Sequence, residues 1–530
     1  MSTLFDADLE ELIETQKEAF RKNIEEFKVV GHRFLNGEIS SNEFKASSGG
    51  MGVYAQKGGK QFMIRLRVLS GKLEGKHLQL IQEFVKDYNL SSIHLTSREA
   101  IQLHDLEFDD LIAIMEKSLE HGLFTRGGGG NFPRNVSLSP LSGVEVGEAF
   151  DVTPYALLVN RYFLSRMNQY KLPRKFKVAF SNNEKDSANA TIIDLGFLAV
   201  NKEGMLQFKL FIGGSLGNQG EIGVPFQELV SPRDVLYHVE ACLRLFTQEG
   251  DYENKGKARI RFIVKRLGRE EFLVRYKKAL EEVKASMSLK LPEVYEPSLT
   301  KAEEYQEDSI YPNMISQKQK GLYTVVIHPG GGILKSEDLN NITSFVQKVP
   351  EAELRLSMEE SLYIRNLTLD QAKDLLKLAG SLAQTTAVER SISCIGVPTC
   401  QIGIGESQRL LGDILNYMEE HKMTEEILPS IHISGCLNSC ARQQVSEIGF
   451  HCKKKQTEQN PEIYALHIGG RTSEFDTHLG TVYGDLTADN IPKFLYELAV
   501  QLKEKQLKLM EYIQLEGEEF QALVKQYSVC

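Results

Sequence analysis

No run of about eighteen apolar residues occurs in the chain, so no segment is expected to cross a membrane as a helix. The opening segment MSTLFDADLEELIE is acidic, with no apolar stretch behind a basic start, and no secretory leader is expected. Positive charge is in deficit: 62 Lys and Arg stand against 72 Asp and Glu, a net charge of −10. That argues against a nucleic-acid surface and leaves room only for a local basic pocket. Cysteine is scarce, with seven in 530 residues. An odd number, unevenly placed in a large chain, is not a disulfide framework, and a reducing, cytoplasmic setting is expected. Nucleotide signatures are missing too. GGGGN (127–131) lacks the Lys-Ser/Thr of a phosphate loop, and GIGESQ (403–408) has Gln where a dinucleotide fingerprint has its third glycine.

What is present is the balance of a folded protein, 42% hydrophobic and 25% charged, long enough for three or four domains. Residues 7–27 read as an amphipathic helix through Leu9, Leu12, Ile13, Phe20, Ile24 and Phe27. A Gly- and Ser-rich stretch follows and is expected to wrap over something larger. QFMIRLRVL then alternates as a strand, with Arg65 and Arg67 on one face.

An internal repeat runs through the chain. One offset of 261 carries Leu73 to Leu334, Leu78 to Leu339, Ile101 to Leu362, Leu103 to Ile364, Leu106 to Leu367 and Asp109 to Asp370. Both copies read strand, Gly-rich turn, helix, strand, helix. Behind it lies a second duplication. KLPRKFKVAFSNN (171–183) and ILPSIHISGCLNS (427–439) share Leu-Pro at an offset of 256, DLGF (194–197) pairs with EIGF (447–450), and FIGG (211–214) with HIGG (467–470). The expected organisation is an N-terminal helix and wrapping extension (1–50), a first small repeat (51–125), a first large α/β domain (126–300), a charged linker (301–320), a second small repeat (321–386) and a second large domain (387–530). Only the second copy has paired cysteines, and the first has RKFK at what reads as the matching place. A duplicated fold with incidental differences is the bland alternative.

The cysteines form CIGVPTC (394–400) and GCLNSC (435–440). Four thiolates converging from short glycine-bearing loops suit an iron–sulfur cubane, whose sulfurs backbone N–H groups can reach. Structural zinc uses shorter knuckles as a rule, and unliganded core cysteines are the other alternative. Cys242, Cys452 and Cys530 stand outside the pattern.

The arrangement C-x5-C…GC-x3-C, followed by EIGF, resembles the signature of the siroheme nitrite/sulfite reductase family. MGVYAQK, MIRLRV and the duplication fit it as well, so the resemblance covers nearly the whole chain. It implies an α/β (α+β) fold with two small ferredoxin-like repeats and two larger mixed α/β domains related by a pseudo-twofold axis. It also implies siroheme and a 4Fe-4S cluster on Cys394, Cys400, Cys436 and Cys440, with Cys440 bridging to the siroheme iron. The implied activity is six-electron reduction of sulfite to sulfide, with nitrite to ammonia as the alternative. An iron–sulfur electron carrier without siroheme is the reading from another class. With no flavin or nicotinamide motif, electrons would come from a separate protein, most simply a ferredoxin.

A small oxyanion needs Arg and Lys donors. HLTSREAIQLH supplies Arg98, GGGGNFPRNVSLSP supplies Arg134, and LPRKFK supplies Lys175 and Lys177. If RKFKVAF is a strand, the two lysines share a face. The resemblance places substrate-binding basic residues at these four positions. Its nitrite reductases tend to have Asn in place of Lys177, which favours sulfite. Arg65, Arg67, Arg174, Arg442 and Asn438 are candidates for holding siroheme, whose carboxylates need cationic partners.

Overall fold

The structure, a computed structural model, describes residues 2–297, 311–455, 457 and 461–529. Residues 301–310 of the expected linker, and Cys530, lie outside them. Two small sheets are assembled by exchange. Val53–Ala55, Phe62–Leu66, Ile101–Leu106 and Ser92–Leu95 pair antiparallel, and the fifth strand, Ile333–Lys335, comes from the other repeat. Met314–Ser316, Tyr323–Ile327, Leu362–Leu367 and Glu353–Leu356 copy that sheet and take Lys72–Leu73 in return. Val53 to Met314, Phe62 to Tyr323, Ser92 to Glu353 and Ile101 to Leu362 are each 261 residues apart, so the expected repeat holds element by element.

The exchange has a local cause. Gly71 and Gly332 turn the chain at φ 69° and 74°, which glycine adopts without strain. A Cβ on Gly71 would lie 2.6 Å from the Leu356 carbonyl oxygen, and one on Gly332 would lie 2.4 Å from that of Leu95. Each glycine turn is pressed against a strand end of the opposite repeat. Helices Gly75–Asp87 and Ser336–Lys348 pack together across the same join, where Gln82 donates to Asn340 Oδ1 at 2.7 Å. The boundaries drawn from the sequence therefore mark repeats, not independently closed units.

The two large sheets are also copies. One runs Ser137–Leu138, Val178–Ser181, Leu195–Lys202, Met205–Ile212, Val224–Pro225; the other runs Ile392–Ser393, Ile431–Ser434, Ile448–Lys454, Ile463–Ile468, Thr481–Thr487. In both, the first two pairings are parallel and the rest antiparallel. Val178 lies opposite Leu195 and Ile431 opposite Ile448, so these strands match at an offset of 253. The 256 read from Leu-Pro is thus corrected. The first copy has three more residues between Leu-Pro and its strand, and that extra length carries Lys175 and Lys177. RKFK is an insertion before the strand, and the cysteines match other residues.

The N-terminal helix is longer than expected, Ser2–Leu35. Leu9, Ile13, Phe20, Ile24 and Phe27 are buried along one face, whereas Leu12 is 45% exposed and lies off the apolar stripe. Phe27 and Phe62 each meet Phe108 edge to face, as Phe44 meets Phe62, and these rings tie the helix and the extension to the first small sheet.

Candidate active site

Strands Ile392–Ser393 and Ile431–Ser434 are parallel neighbours, so the loops at their C-terminal ends leave the same edge of the sheet, where open α/β sheets bind ligands. Those loops carry the four cysteines. Cys394 N donates to Ile433 O at 3.1 Å, and Gly435 N donates to Cys394 Sγ at 3.1 Å. Ile404 N and Gly405 N both donate to Gly435 O, at 3.0 and 2.9 Å, which closes the first loop onto the second. A Cβ at Gly405 would sit 2.5 Å from Cys452 Cβ, so only glycine fits there.

Burial pushes the Cys394 thiol up to about 12, with Cys440 adding to the rise. Burial also raises Cys400 and Cys436, and again Cys440 adds to it, against backbone N–H donors that lower both. Thiols that oppose one another's ionisation stand close together and become thiolates only around a cationic centre. Among the described residues no three His, Cys, Asp or Glu side chains gather at the spacing of a single metal ion. Cys242 is buried in helix Val235–Glu249, and Cys452 is buried in a strand with Sγ 3.2 Å from Lys454 O.

Cys440 is exposed on its loop and faces the first copy. Ser97 Oγ donates to the Cys440 carbonyl at 2.6 Å, and Lys175 feels the Cys440 charge. The other basic residues gather in the same cleft: Arg98 and Lys175 act on Lys177, and Arg65, Arg98 and Arg174 act on Arg134. Val178–Ser181 is the strand, and Lys175 and Lys177 precede it. They still share a face, because Phe176 between them is buried and bridges to Pro133, with Arg134 N donating to Phe176 O at 2.8 Å. The sequence reading was right about the face and wrong about the strand.

This cleft is cationic and poorly solvated. Burial, then Arg259 and Arg134, bring Lys175 down to about 7, and burial, then Arg98 and Lys175, lower Lys177 well below the usual lysine range. Burial lowers Arg98 and Arg134 to about 10. Arg98 donates to Asn135 O at 2.6 Å, leaving its buried Nε and second terminal nitrogen without a partner; Arg134 is held by Gly128 O and Gly130 O at 2.9 Å, with Nε unpartnered. Buried guanidinium donors without acceptors mark a place for an anion.

Of the remaining candidates, Arg65 and Arg67 both reach the 128–134 loop. Arg65 donates to Gly128 O at 2.7 Å; Arg67, beyond the strand end, donates to Pro133 O, Arg134 O and Asn160 Oδ1 at 3.2, 3.1 and 2.9 Å. Protein acceptors thus take up both terminal nitrogens of Arg67, which brace the Arg134 backbone, while its buried Nε has no partner. Arg174 donates to Asn131 at 3.4 Å, Arg442 bridges Asn189 Oδ1 and Met358 O at 2.8 and 2.5 Å, and Asn438 is exposed between the last two cysteines. Sequence reasoning missed Arg259, which pairs with fully buried Asp194 at 2.8 Å while Asp194 also accepts from Lys177 N at 3.0 Å. The basic run KGKARIRF was the available signal.

The model of the nitrite/sulfite reductase ferredoxin-like half domain matches residues 54–121 and 315–382, and that of the nitrite and sulphite reductase 4Fe-4S domain matches 129–284. Together these cover more than half of the chain. The chain belongs to the nitrite and sulfite reductase family. It is an oxidoreductase that uses siroheme and a 4Fe-4S cluster, which decides against a bare iron–sulfur carrier. The 4Fe-4S model falls on the copy without the cysteine pairs; the copy that has them is its structural duplicate. The "Ferredoxin--nitrite reductase" of Synechococcus elongatus is 27% identical over 83% of this chain and 86% of its own, and the chloroplastic enzyme of that name from Arabidopsis thaliana is 26% identical over 80% and 73%. The NirA protein of Mycobacterium tuberculosis shares the fold, with a TM-score of 0.73, 22% identity and 86% coverage of both chains. The residues present fit the cofactors: four cysteines on facing loops, three of them with thiols raised by burial and by Cys440, and across from Cys440 buried, unpartnered cationic donors. No helix among the described residues is long and apolar enough to cross a membrane.

Proposed function

We propose that this protein reduces nitrite to ammonia, taking six electrons one at a time from a ferredoxin-class donor. The observation that carries the reading is the single cleft in which Arg98, Arg134, Lys175 and Lys177 face Cys440. The names of the curated relatives support nitrite over sulfite. Cys394, Cys400, Cys436 and Cys440 would hold the cluster, with Cys440 also available to the siroheme iron. The bound siroheme and cluster supply a coupled centre that stores electrons for a multi-electron reduction.

The chain's own residues then bind the anion and move protons. Nitrite loses both oxygens as water, so eight protons must arrive with the six electrons for ammonium to form. Arg98 and Arg134 stay charged at neutral pH and clamp the anion with their free N–H groups. Lys175, brought to about 7, gives up a proton near neutrality and takes another from solvent. Arg65, Arg174, Arg442 and Asn438 would be the candidates to pair with siroheme carboxylates. A reducing, cytoplasmic setting belongs to this reading, because the four thiols must stay free of disulfides.

Sulfite is the second reading, and Lys177 favours it: a second lysine in the cleft suits an anion with more charge and one more oxygen. Steady-state kcat/KM for nitrite and sulfite, measured on one preparation with a chemical donor, decides between them. A higher value for sulfite overturns the first reading.

A further inference from the structure

The loop from Cys394 to Gly405 reaches the surface at Pro398 and Ile402, and Ile402 is 53% exposed. Cys400, between them, is half-buried and takes backbone N–H donation from Ile402 and Gly403. An apolar side chain in water two residues from a candidate cluster ligand calls for an occupant.

The residues around that loop come from the N-terminal extension. Lys57 N donates to Thr399 O at 3.3 Å. Lys45 lies in the last turn of helix Ser41–Ser48, whose Ser41 lines the same surface as Gln401. Lys60 and Gln401 line an open cavity of about 580 Å³ with Phe34, Leu35, Gly58 and Gly59. Lys57 and Lys60 are exposed, and among the described residues no carboxylate pairs with Lys45, Lys57 or Lys60. Three free ammonium groups thus stand around an apolar centre, over the cysteine loop.

Against this local charge stands a chain of net charge −10. An acidic protein approaching at random is repelled over most of the surface and steered to a cationic island. The more exposed Phe475 offers no such island, since its neighbour Lys209 is paired with Glu474 at 3.3 Å. We infer that the face formed by Ile402, Lys45, Lys57 and Lys60 is where the electron donor docks, and that the donor is an acidic iron–sulfur protein carrying one electron. The inference rests on the reading of a ferredoxin-class donor given above. Each donor molecule would give up one electron per encounter, so six encounters would supply the six electrons that one nitrite takes up. The extension that wraps the first repeat is thereby part of the electron entry.

The test compares two donors on the holoenzyme: a plant-type ferredoxin, reduced, and reduced methyl viologen, a small dye that needs no docking face. Lys57→Glu/Lys60→Glu is expected to raise KM for ferredoxin about tenfold and to flatten its dependence on salt, because rim charges act on encounter. Turnover with the dye stays at the wild-type value. Ile402→Ala is expected to raise KM for ferredoxin without changing the salt dependence, and Lys278→Glu, an exposed reversal on a remote helix, changes neither. Unchanged ferredoxin kinetics in the double variant overturn the docking face and leave the donor reading intact. A wild-type enzyme that turns over with the dye but not with ferredoxin overturns the donor reading itself.

Discussion

With strands Val178–Ser181 and Ile431–Ser434 matched at an offset of 253, and Ser137–Leu138 and Ile392–Ser393 at 255, the two large domains can be compared contact by contact. Cys394 N donates to Ile433 O, and Ser139 N donates to Phe180 O, each at 3.1 Å. Gly435 N donates to Cys394 Sγ at 3.1 Å where Asn182 N donates to Ser139 Oγ at 3.2 Å. Ala441 N binds Ser434 Oγ as Ala188 N binds Ser181 Oγ, both at 3.1 Å. The left-handed residues recur as well, Asp186 and Asn189 at φ 55° and 57°, Ser439 and Arg442 at 52° and 62°. Ser139, Asn183 and Ser187 therefore occupy the places of Cys394, Cys436 and Cys440. In the first copy Ser187 Oγ donates to Ser139 Oγ at 2.6 Å and the loops close on themselves. In the second, Cys440 instead adds to the rise of the Cys394 thiol. The backbone is held in common, and at three matched positions the second copy has cysteine where the first has serine or asparagine. The first copy carries the three-residue insertion with Lys175 and Lys177, and Lys175 is near enough to Cys440 of the second copy to feel its charge.

The largest effect is expected at Cys440. Cys440→Ser should abolish turnover and the coupled siroheme–cluster spectrum, read by absorption and electron paramagnetic resonance, whereas Cys242→Ser and Cys452→Ser keep the iron content and spectrum of the wild type. Normal iron and activity in Cys440→Ser would break the comparison at its root.

Next in size is the pH dependence of substrate binding. Lys175 has a folded pKa near 7, so it is charged below that and neutral above. KM for nitrite should rise as pH increases through about 7, and Lys175→Arg should flatten the profile while lowering kcat. An unchanged profile in Lys175→Arg would assign the titration to another group.

A smaller effect separates substrates. Lys177→Asn should move the ratio of kcat/KM from sulfite towards nitrite, because nitrite carries less charge; equal changes for both substrates would remove Lys177 from specificity. Smallest is the first copy's serine. Ser139→Ala leaves Asn182 N unpaired and should cost about 1–3 kcal/mol of stability by denaturant titration, with no loss of iron. Its counterpart, Cys394→Ser, should lose the cluster.

The small repeats were legible because their strands and helices keep one offset, and periodic apolar residues report such elements directly. The cysteines were legible by spacing, and the basic residues by their place in short motifs. The register of the large domains was not. Leu-Pro is a strong match by eye, but the insertion after it moves the strand, and only hydrogen bonding between Val178 and Leu195 fixes the true offset. Arg259 was hidden for a related reason: its role comes from Asp194, 65 residues away, and no local pattern pairs them. Arg67 reads as a siroheme candidate sharing a strand face with Arg65, yet packing places it at 1% exposure against the Arg134 backbone.

The division of labour between the copies is tested most directly by cofactor content. Iron, acid-labile sulfide and siroheme would be measured per chain in purified Cys436→Ser and Lys175→Met. Cys436→Ser should lose the cluster, and Lys175→Met should keep both cofactors in full while losing turnover. Siroheme lost from Lys175→Met, or a full cluster retained in Cys436→Ser, would contradict it.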